Sequence, residues 1–407
     1  MKKIFSGYLK TPLILRIAIG LAIGICLGLF LPDATFVTIF GDVFVGALKA
    51  IAPILVFVLV ISSLSKAGAG IGKRFGTVIF FYMISTFLAA TVAVIVSYIF
   101  PVSIPLADAV GNTAPAGLGE VFRVLLGNMT QNPISALMNA NYIGILTWSV
   151  IFGLALRRIA SDKTREMLSN ISDAVSTVVG WVIQLAPFGI MGLVFSSVSE
   201  YGLEIFTDYG KLLLVLVGCM LGVALIIDPL IVAIALRRNP YPLVFRCLKE
   251  SGVTAFFTRN SAANIPVNMS LCEKLGLDRE YYSVAIPLGA TINMDGAAIT
   301  ITVMSLAAAF SQSIQVNLLI AILLAFMATL GACGASGVAG GSLLLIPMAC
   351  SLLGVGQDVA MQMVGVGFII GVVQDSLETA INSAGDVIFC ATAEYRERLK
   401  HGEKIDF

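Results

Sequence analysis

An apolar run from Val284 to Phe310, long enough to cross a bilayer, is interrupted by the stretch Gly289 to Ala297, GATINMDGA. Two glycines, a Thr, an Asn and an Asp do not belong against lipid at that depth. Each backbone group they free, and above all the Asp295 carboxylate, needs a partner there. The pattern predicts a helix that unwinds in mid-membrane and turns its carbonyls and side chains inward. Hard oxygens converging in a dry site suit a small cation. The alternative is a kinked structural helix whose Asp caps a neighbour. Three more polar breaks in the same half of the chain favour the first reading.

Composition agrees with a membrane setting. The 407 residues are 58% hydrophobic and 12% charged, against roughly 25% charged in a soluble domain. The mean hydropathy is +0.97. A polytopic, all-α membrane protein follows. The net charge of +1 points to no nucleic-acid partner. The seven Cys are scattered with no CxxC pair and read as small core residues. The only His is His401, in the polar tail, so His-based catalysis at membrane depth is excluded. The apolar stretch after Met1-Lys2-Lys3 lacks a convincing small-residue cleavage site and reads as a first span.

Apolar runs cover about 13–31, 43–65, 76–100, 142–160, 173–198, 211–236, 284–310 and 360–393, each long enough to span. Segments 250–273 and 318–355 are less regular. Basic residues cluster before span one and in every second loop, while Arg123 and Lys211 are the exceptions in nearly bare loops between. The N-terminus is therefore expected on the cytoplasmic side. Lys274 and Arg279 then follow segment 250–273, although Arg237 to Lys249 already lie inside. So 250–273 enters and returns from the inside. For the tail with Arg396, Arg398 and Lys400 to be inside, 318–355 must enter and return from the outside. Two opposed re-entrant hairpins are an inverted-repeat signature. The alternative, one true span with an external tail, puts three basic residues outside.

The hairpin tips hold unusual residues. The first is Thr258-Arg259-Asn260-Ser261-Ala262-Ala263-Asn264, before Pro266. The second, Gly331 to Gly341, has five glycines in eleven residues, which permits close approach of backbone to a ligand. Close-packed helices also use such glycines. Neither tip is a phosphate loop. In span eight, offsets of 3, 4 and 7 from Asp375 put Glu378, Thr379 and Asn382 on one face, with Asp386 three turns on. Three carboxylates there repel unless cations or an ammonium group bind among them. Arg259 is the one basic side chain placed to reach them; a purely structural ion-pair network is the bland alternative.

These motifs resemble the glutamate-transporter family of sodium-coupled symporters, the dicarboxylate/amino acid:cation symporters, over nearly the whole chain. Within that family the chain is most similar to the bacterial sodium/serine–threonine symporters. The features that carry the resemblance are the Ser-bearing first tip, Asn293-Met294-Asp295-Gly296, the Gly-rich second tip, and Asp375-x3-Thr379-x2-Asn382-x3-Asp386. The resemblance implies eight transmembrane helices, two re-entrant hairpins, a homotrimer and an elevator mechanism. Residues 1–74 and 102–200 would be scaffold. Residues 75–101 and 201–395 would be the transport domain, and 396–407 a cytoplasmic tail. It implies one sodium ion at Gly289, Asn293, Asn382 and Asp386. A second would use Thr291, Met294 and carbonyls near Ala332, Cys333 and Ala335. A third would use Asn293, Asp295, Ser85 and Thr86, near Tyr82. The substrate site would have Asp375 for the ammonium group, Asn382 and Ser261 for the carboxylate, and Thr379 with the backbone near Gly337 and Val338.

The departures bear on substrate. Acidic-amino-acid relatives have Arg where this chain has Glu378, and Thr where it has Ala297. Glu378 would repel a side-chain carboxylate in a low-dielectric site. It can instead accept a hydrogen bond from a substrate hydroxyl, or pair with Arg259. Ala339 replaces a family Pro, and Asn260-Ser261-Ala262 a Ser run. The resulting expectation is sodium-driven import of L-serine and L-threonine across the cytoplasmic membrane, both termini inside, with no organic cofactor. A broader neutral-amino-acid symporter, or a dicarboxylate carrier, is the alternative. A channel has no use for an ammonium clamp with two hairpins, and an enzyme lacks a visible nucleophile–base pair.

Overall fold

The computed structural model describes residues 11–66, 73–106, 123, 126–335, 340–403 and 405. Among these residues every regular element is helical. The first group is α1 (Leu13–Phe30), α2 (Thr38–Lys66), α3 (Lys73–Ile99), α4 (Pro133–Met138), α5 (Tyr142–Ile159), α6 (Asp162–Ile183) and α7 (Ala186–Tyr201). Next come α8 (Ile205–Gly222), α9 (Asp228–Leu236), α10 (Tyr241–Cys247), α11 (Val253–Thr258) and α12 (Ser261–Lys274). The chain closes with α13 (Arg279–Ile292), α14 (Asp295–Ser311), α15 (Leu318–Ala332), α16 (Ile346–Leu352) and α17 (Gln357–Lys400).

Two sets of contacts organise these helices. α2 packs on α5, α6 and α7, and α1 on α7. Glycines at four-residue spacing let α1 and α7 approach closely. A Cβ on Gly24 would fall 2.5 Å from the Met191 carbonyl oxygen, and one on Gly28 2.9 Å from Val198 Cβ. α4 packs on α5, and the other helices gather around α14 and α17. α14 is buried on every face from Asp295 to Ala309, as a helix at the centre of a bundle must be.

The reading of 173–198 as one span is corrected. The chain leaves the helix at Gln184 and Leu185, and α7 restarts at Ala186 with Pro187 in its first turn. Pro lacks an N–H and is tolerated there but not in a helix interior. The Gln184 side chain at this break accepts a 2.8 Å hydrogen bond from Arg16 of α1. α6 buries little, with Ser172, Val179 and Ile183 its buried residues. Gly202, with φ +67°, then turns the chain from α7 toward α8.

The expected run 211–236 is continuous but carries a π-bulge at Val223–Ile227. Pro229 explains it: the ring removes the donor to the Leu225 carbonyl, and the Tyr241 hydroxyl donates to that oxygen at 3.3 Å instead. The first hairpin begins earlier than position 250. α10, a second π-turn at Leu248–Gly252, and α11 form its first arm, and α12 its second. Arg259 makes the turn in the left-handed region, φ 51°, and Asn260 caps α12 by accepting from Ala263 N at 3.0 Å. In the second hairpin α15 descends and α16 returns, and residues 336–339 of its tip lie outside the described residues. At 14 and 15 residues, α12 and α15 are about 22 Å long, too short to cross about 30 Å of hydrocarbon alone.

The expected mid-membrane break is present. α13 ends at Ile292 and α14 starts at Asp295, with Asn293 and Met294 non-helical between them. α17 runs unbroken alongside for 44 residues. Its last turns dock on the loop after α12, where Tyr395 donates to the Leu275 carbonyl at 2.8 Å and Glu394 accepts from Asp278 N at 3.0 Å.

Candidate functional site

The break between α13 and α14 frees backbone donors, and side chains from two other helices meet them. Met294 N donates to Thr86 Oγ1 of α3 at 3.2 Å, and Gly296 N to Asn382 Oδ1 of α17 at 2.8 Å. Such partners are what an unwound segment in an apolar surrounding requires. The break is thereby fixed to the two helices that carry the remaining polar residues.

Around Asp295 the structure brings together three of the expected residues. Ser85 donates to Oδ2 at 2.6 Å and Thr86 faces Oδ1 at 2.9 Å. Asp228, on α9, was not foreseen, although an Asp-Pro pair within the apolar run 211–236 is a sequence signal for it. Its Oδ1 lies 3.1 Å from the same Ser85 hydroxyl, and it is buried. Tyr82 is close but turned away. Its hydroxyl donates to the Asp386 carbonyl at 3.0 Å.

A second oxygen cluster joins Asn293 to α17. Asn293 Nδ2 donates to the Asn382 carbonyl at 3.1 Å and to Asp386 Oδ1 at 3.3 Å. Its Oδ1 is buried and has no hydrogen-bond partner among the described residues. An orphaned buried acceptor beside a carboxylate matches a cation ligand set. Small residues allow the approach: a Cβ on Gly289 would fall 2.8 Å from Asp386 Oδ1, and one on Gly385 2.6 Å from Asn293 Nδ2. Behind it, Ser251, Asn264 and Asn268 of the first hairpin bond to Ser383, with Asn264 Nδ2 to Ser383 Oγ at 2.7 Å. Sequence reading missed this network, though Asn264 and Asn268 stand at helical spacing.

Of the expected set of Thr291, Met294 and the carbonyls near Ala332, Cys333 and Ala335, Cys333 reaches the break, its sulfur 3.9 Å from the Ile292 carbonyl oxygen, and Ala332 and Ala335 are buried beside it. The Thr291 hydroxyl turns back on its own helix, donating to Leu288 O at 2.7 Å, so it is not aimed at that group. Met294 Sδ accepts from Asn382 Nδ2 at 3.5 Å.

The expected substrate residues Ser261, Asp375, Glu378, Thr379 and Asn382 line one small cavity with Arg259, Asn260, Met294 and Ala335. Its volume is about 20 Å³, room for about one water molecule. The expected alternatives for Arg259 are decided: it pairs with Asp375, at 2.7 Å, and not with Glu378. Gly340 N adds a 3.2 Å bond to Asp375 from the second hairpin. Glu378 is met by neutral donors, namely Thr300, Ser342 and Gln374. Thr379 donates to its own helix at the Asp375 carbonyl. Gly337, Val338 and Ala339 lie outside the described residues. Asp375, Glu378 and Asp386 of α17 each have their own hydrogen-bond donors, of which Arg259 on Asp375 is the charged one among the described residues. Yet Asp228, Asp295, Asp375, Glu378 and Asp386 are all buried here, and Arg259 is the described basic side chain among them. That imbalance favours cations in a low-dielectric site.

Comparison with known proteins was made with this geometry in view. The model of the sodium:dicarboxylate symporter family matches residues 13–395. A protein of Bifidobacterium adolescentis named serine/threonine transporter SstT is 60% identical over 399 residues, covering 98% of this chain and 93% of the relative. Proteins of the same name from Streptococcus thermophilus and Streptococcus agalactiae are each 56% identical over 396 residues, covering 97% of this chain and 98% of theirs.

Proposed function

This chain belongs to the sodium:dicarboxylate symporter family, and from that premise we propose that it couples the entry of sodium to the import of L-serine and L-threonine. The observation that carries the reading is the character of position 378. A buried carboxylate lines the cavity there, and it repels a substrate carboxylate while accepting from a substrate hydroxyl. This argues against a dicarboxylate carrier. A broader neutral-amino-acid carrier would not need a charged acceptor at that position.

In this reading Asp375 takes the substrate ammonium and shares its oxygens with Arg259. Asn382 and Ser261 hold the substrate carboxylate, with Thr379 and the backbone near Gly337 and Val338 completing the site. Sodium ions are cargo, not resident cofactors. One is held by Asp386, Asn293, Asn382 and the Gly289 carbonyl, and the orphaned Asn293 Oδ1 supports this. Another is held by Asp295, Ser85, Thr86 and Asn293. The set of Thr291, Met294 and the carbonyls near Ala332, Cys333 and Ala335 requires the Thr291 hydroxyl to turn from Leu288. α1, α2, α4, α5, α6 and α7 act as a trimeric scaffold in the cytoplasmic membrane, past which the rest moves, with both termini inside.

Counterflow of labelled serine in proteoliposomes, with and without sodium, tests the proposal. Serine and threonine should exchange only with sodium present, and aspartate should not compete. Sodium-independent exchange, or competition by aspartate equal to that by serine, would overturn it.

A further inference from the structure

Glu378 is held in an unusual way. Thr300 Oγ1 and Ser342 Oγ each lie 2.8 Å from its Oε2, and Gln374 Nε2 lies 2.5 Å from the same atom. Gln374 Nε2 is also 2.7 Å from Thr300 Oγ1. The protons are consistent: the amide gives one to Thr300 and one to Glu378, and the two hydroxyls give theirs to Glu378. No donor among the described residues reaches Oε1. Behind the residue, a Cβ on Gly296 would fall 2.7 Å from Glu378 Cα, so the α14 backbone closes that side. Gln374, Thr300 and Ser342 are each at most 1% exposed.

A glutamate with three side-chain torsions, left unheld here, has a stronger partner within the same cavity, the Arg259 guanidinium. Three neutral donors on one oxygen hold Glu378 away from it without supplying a counter-charge. The cavity therefore keeps an acceptor and keeps its repulsion of anionic side chains. We propose that Gln374, Thr300 and Ser342 are specificity-determining positioning residues, which occupy Oε2 so that Oε1 is presented to the substrate hydroxyl. The inference rests on the proposed reading that Glu378 faces the substrate side chain. The three donors come from α17, α14 and the second hairpin, so the acceptor is complete only when these elements are packed together.

Alanine has the serine backbone without the hydroxyl, so the serine-over-alanine ratio isolates the acceptor. The ratio is read from competition against labelled serine uptake by full-length protein in proteoliposomes, alongside the half-saturating sodium concentration. Gln374→Leu and Thr300→Val should each lower the ratio about 3- to 10-fold, part of the value of a hydrogen bond to a charged group. Half-saturating sodium should not shift, and Thr300→Ser should restore the ratio. Should Gln374→Leu fail to fold, Ser342→Ala decides, with a fall of about 3-fold expected from losing one of three donors. Glu378→Met, which removes the acceptor at similar length, separates the two claims. If it abolishes the preference while the three positioning variants keep it, this inference is overturned and the reading of Glu378 stands. If Glu378→Met keeps the preference, the reading fails and the inference with it.

Discussion

At Asp386 and Asp228 a single charge is removed by an isosteric amide. Asp386→Asn keeps a side-chain oxygen near Asn293 but loses the charge that makes the cluster attractive to a cation. Charge-assisted contacts contribute about 1.5–3 kcal/mol, so half-saturating sodium should rise about tenfold or more. Uptake of serine at fixed sodium should fall with it. Asp228→Asn tests a residue that the motifs do not carry. Its carboxylate shares Ser85 with Asp295, so losing its charge should weaken sodium activation less than Asp386→Asn does, because it touches Asp295 only through that hydroxyl. Sodium titration of uptake in both variants is the measurement. Unchanged activation in Asp386→Asn would remove that residue from the sodium site, and unchanged activation in Asp228→Asn would leave Asp228 a structural acid.

At the scale of elements, legibility followed the range of the interactions. The α13–α14 break was readable because polar residues inside an apolar run are a local signal, and their cost in lipid is large. The stripe on α17 was readable from helical spacing alone. What holds Glu378 was not, since Thr300 and Ser342 belong to segments that only the packed fold brings to Gln374. The break at Gln184 was hidden because hydropathy averages over it, and Pro187 is compatible with either a kink or a restart. The four-residue spacing of the α1 glycines does not by itself name the helix they pack against. Gly24 tests that interface. The atom its Cβ would meet at 2.5 Å is backbone, which cannot swing aside. Gly24→Leu should therefore force α1 from α7 and cost about 1–3 kcal/mol, as overpacking does. Thermal unfolding of detergent-solubilised protein should show a lower midpoint, with half-saturating sodium unchanged in the folded fraction. A midpoint equal to wild type would mean that α1 and α7 are not held at this distance.

At the scale of the molecule, the elevator reading requires the two sets of helices to slide past each other. Among the described residues few polar contacts join them. One is the ion pair of Lys49 on α2 with Asp358 at the start of α17, at 2.9 Å. It is partly exposed and contributes little to stability, which suits a contact that must break in each cycle. Cysteines at both positions, joined by a reversible bifunctional thiol reagent, would turn that contact into a tether. Among the seven native cysteines Cys26 is the exposed one, so Cys26→Ser is the background. Cross-linked protein should bind sodium but import no serine, and reduction should restore import to the level before cross-linking. The uncross-linked double variant should transport close to the background rate, since the pair adds little energy. Import that persists in fully cross-linked protein would show that α2 and α17 keep their relative position throughout transport. The moving body would then have to be smaller, confined to the hairpins around the cavity.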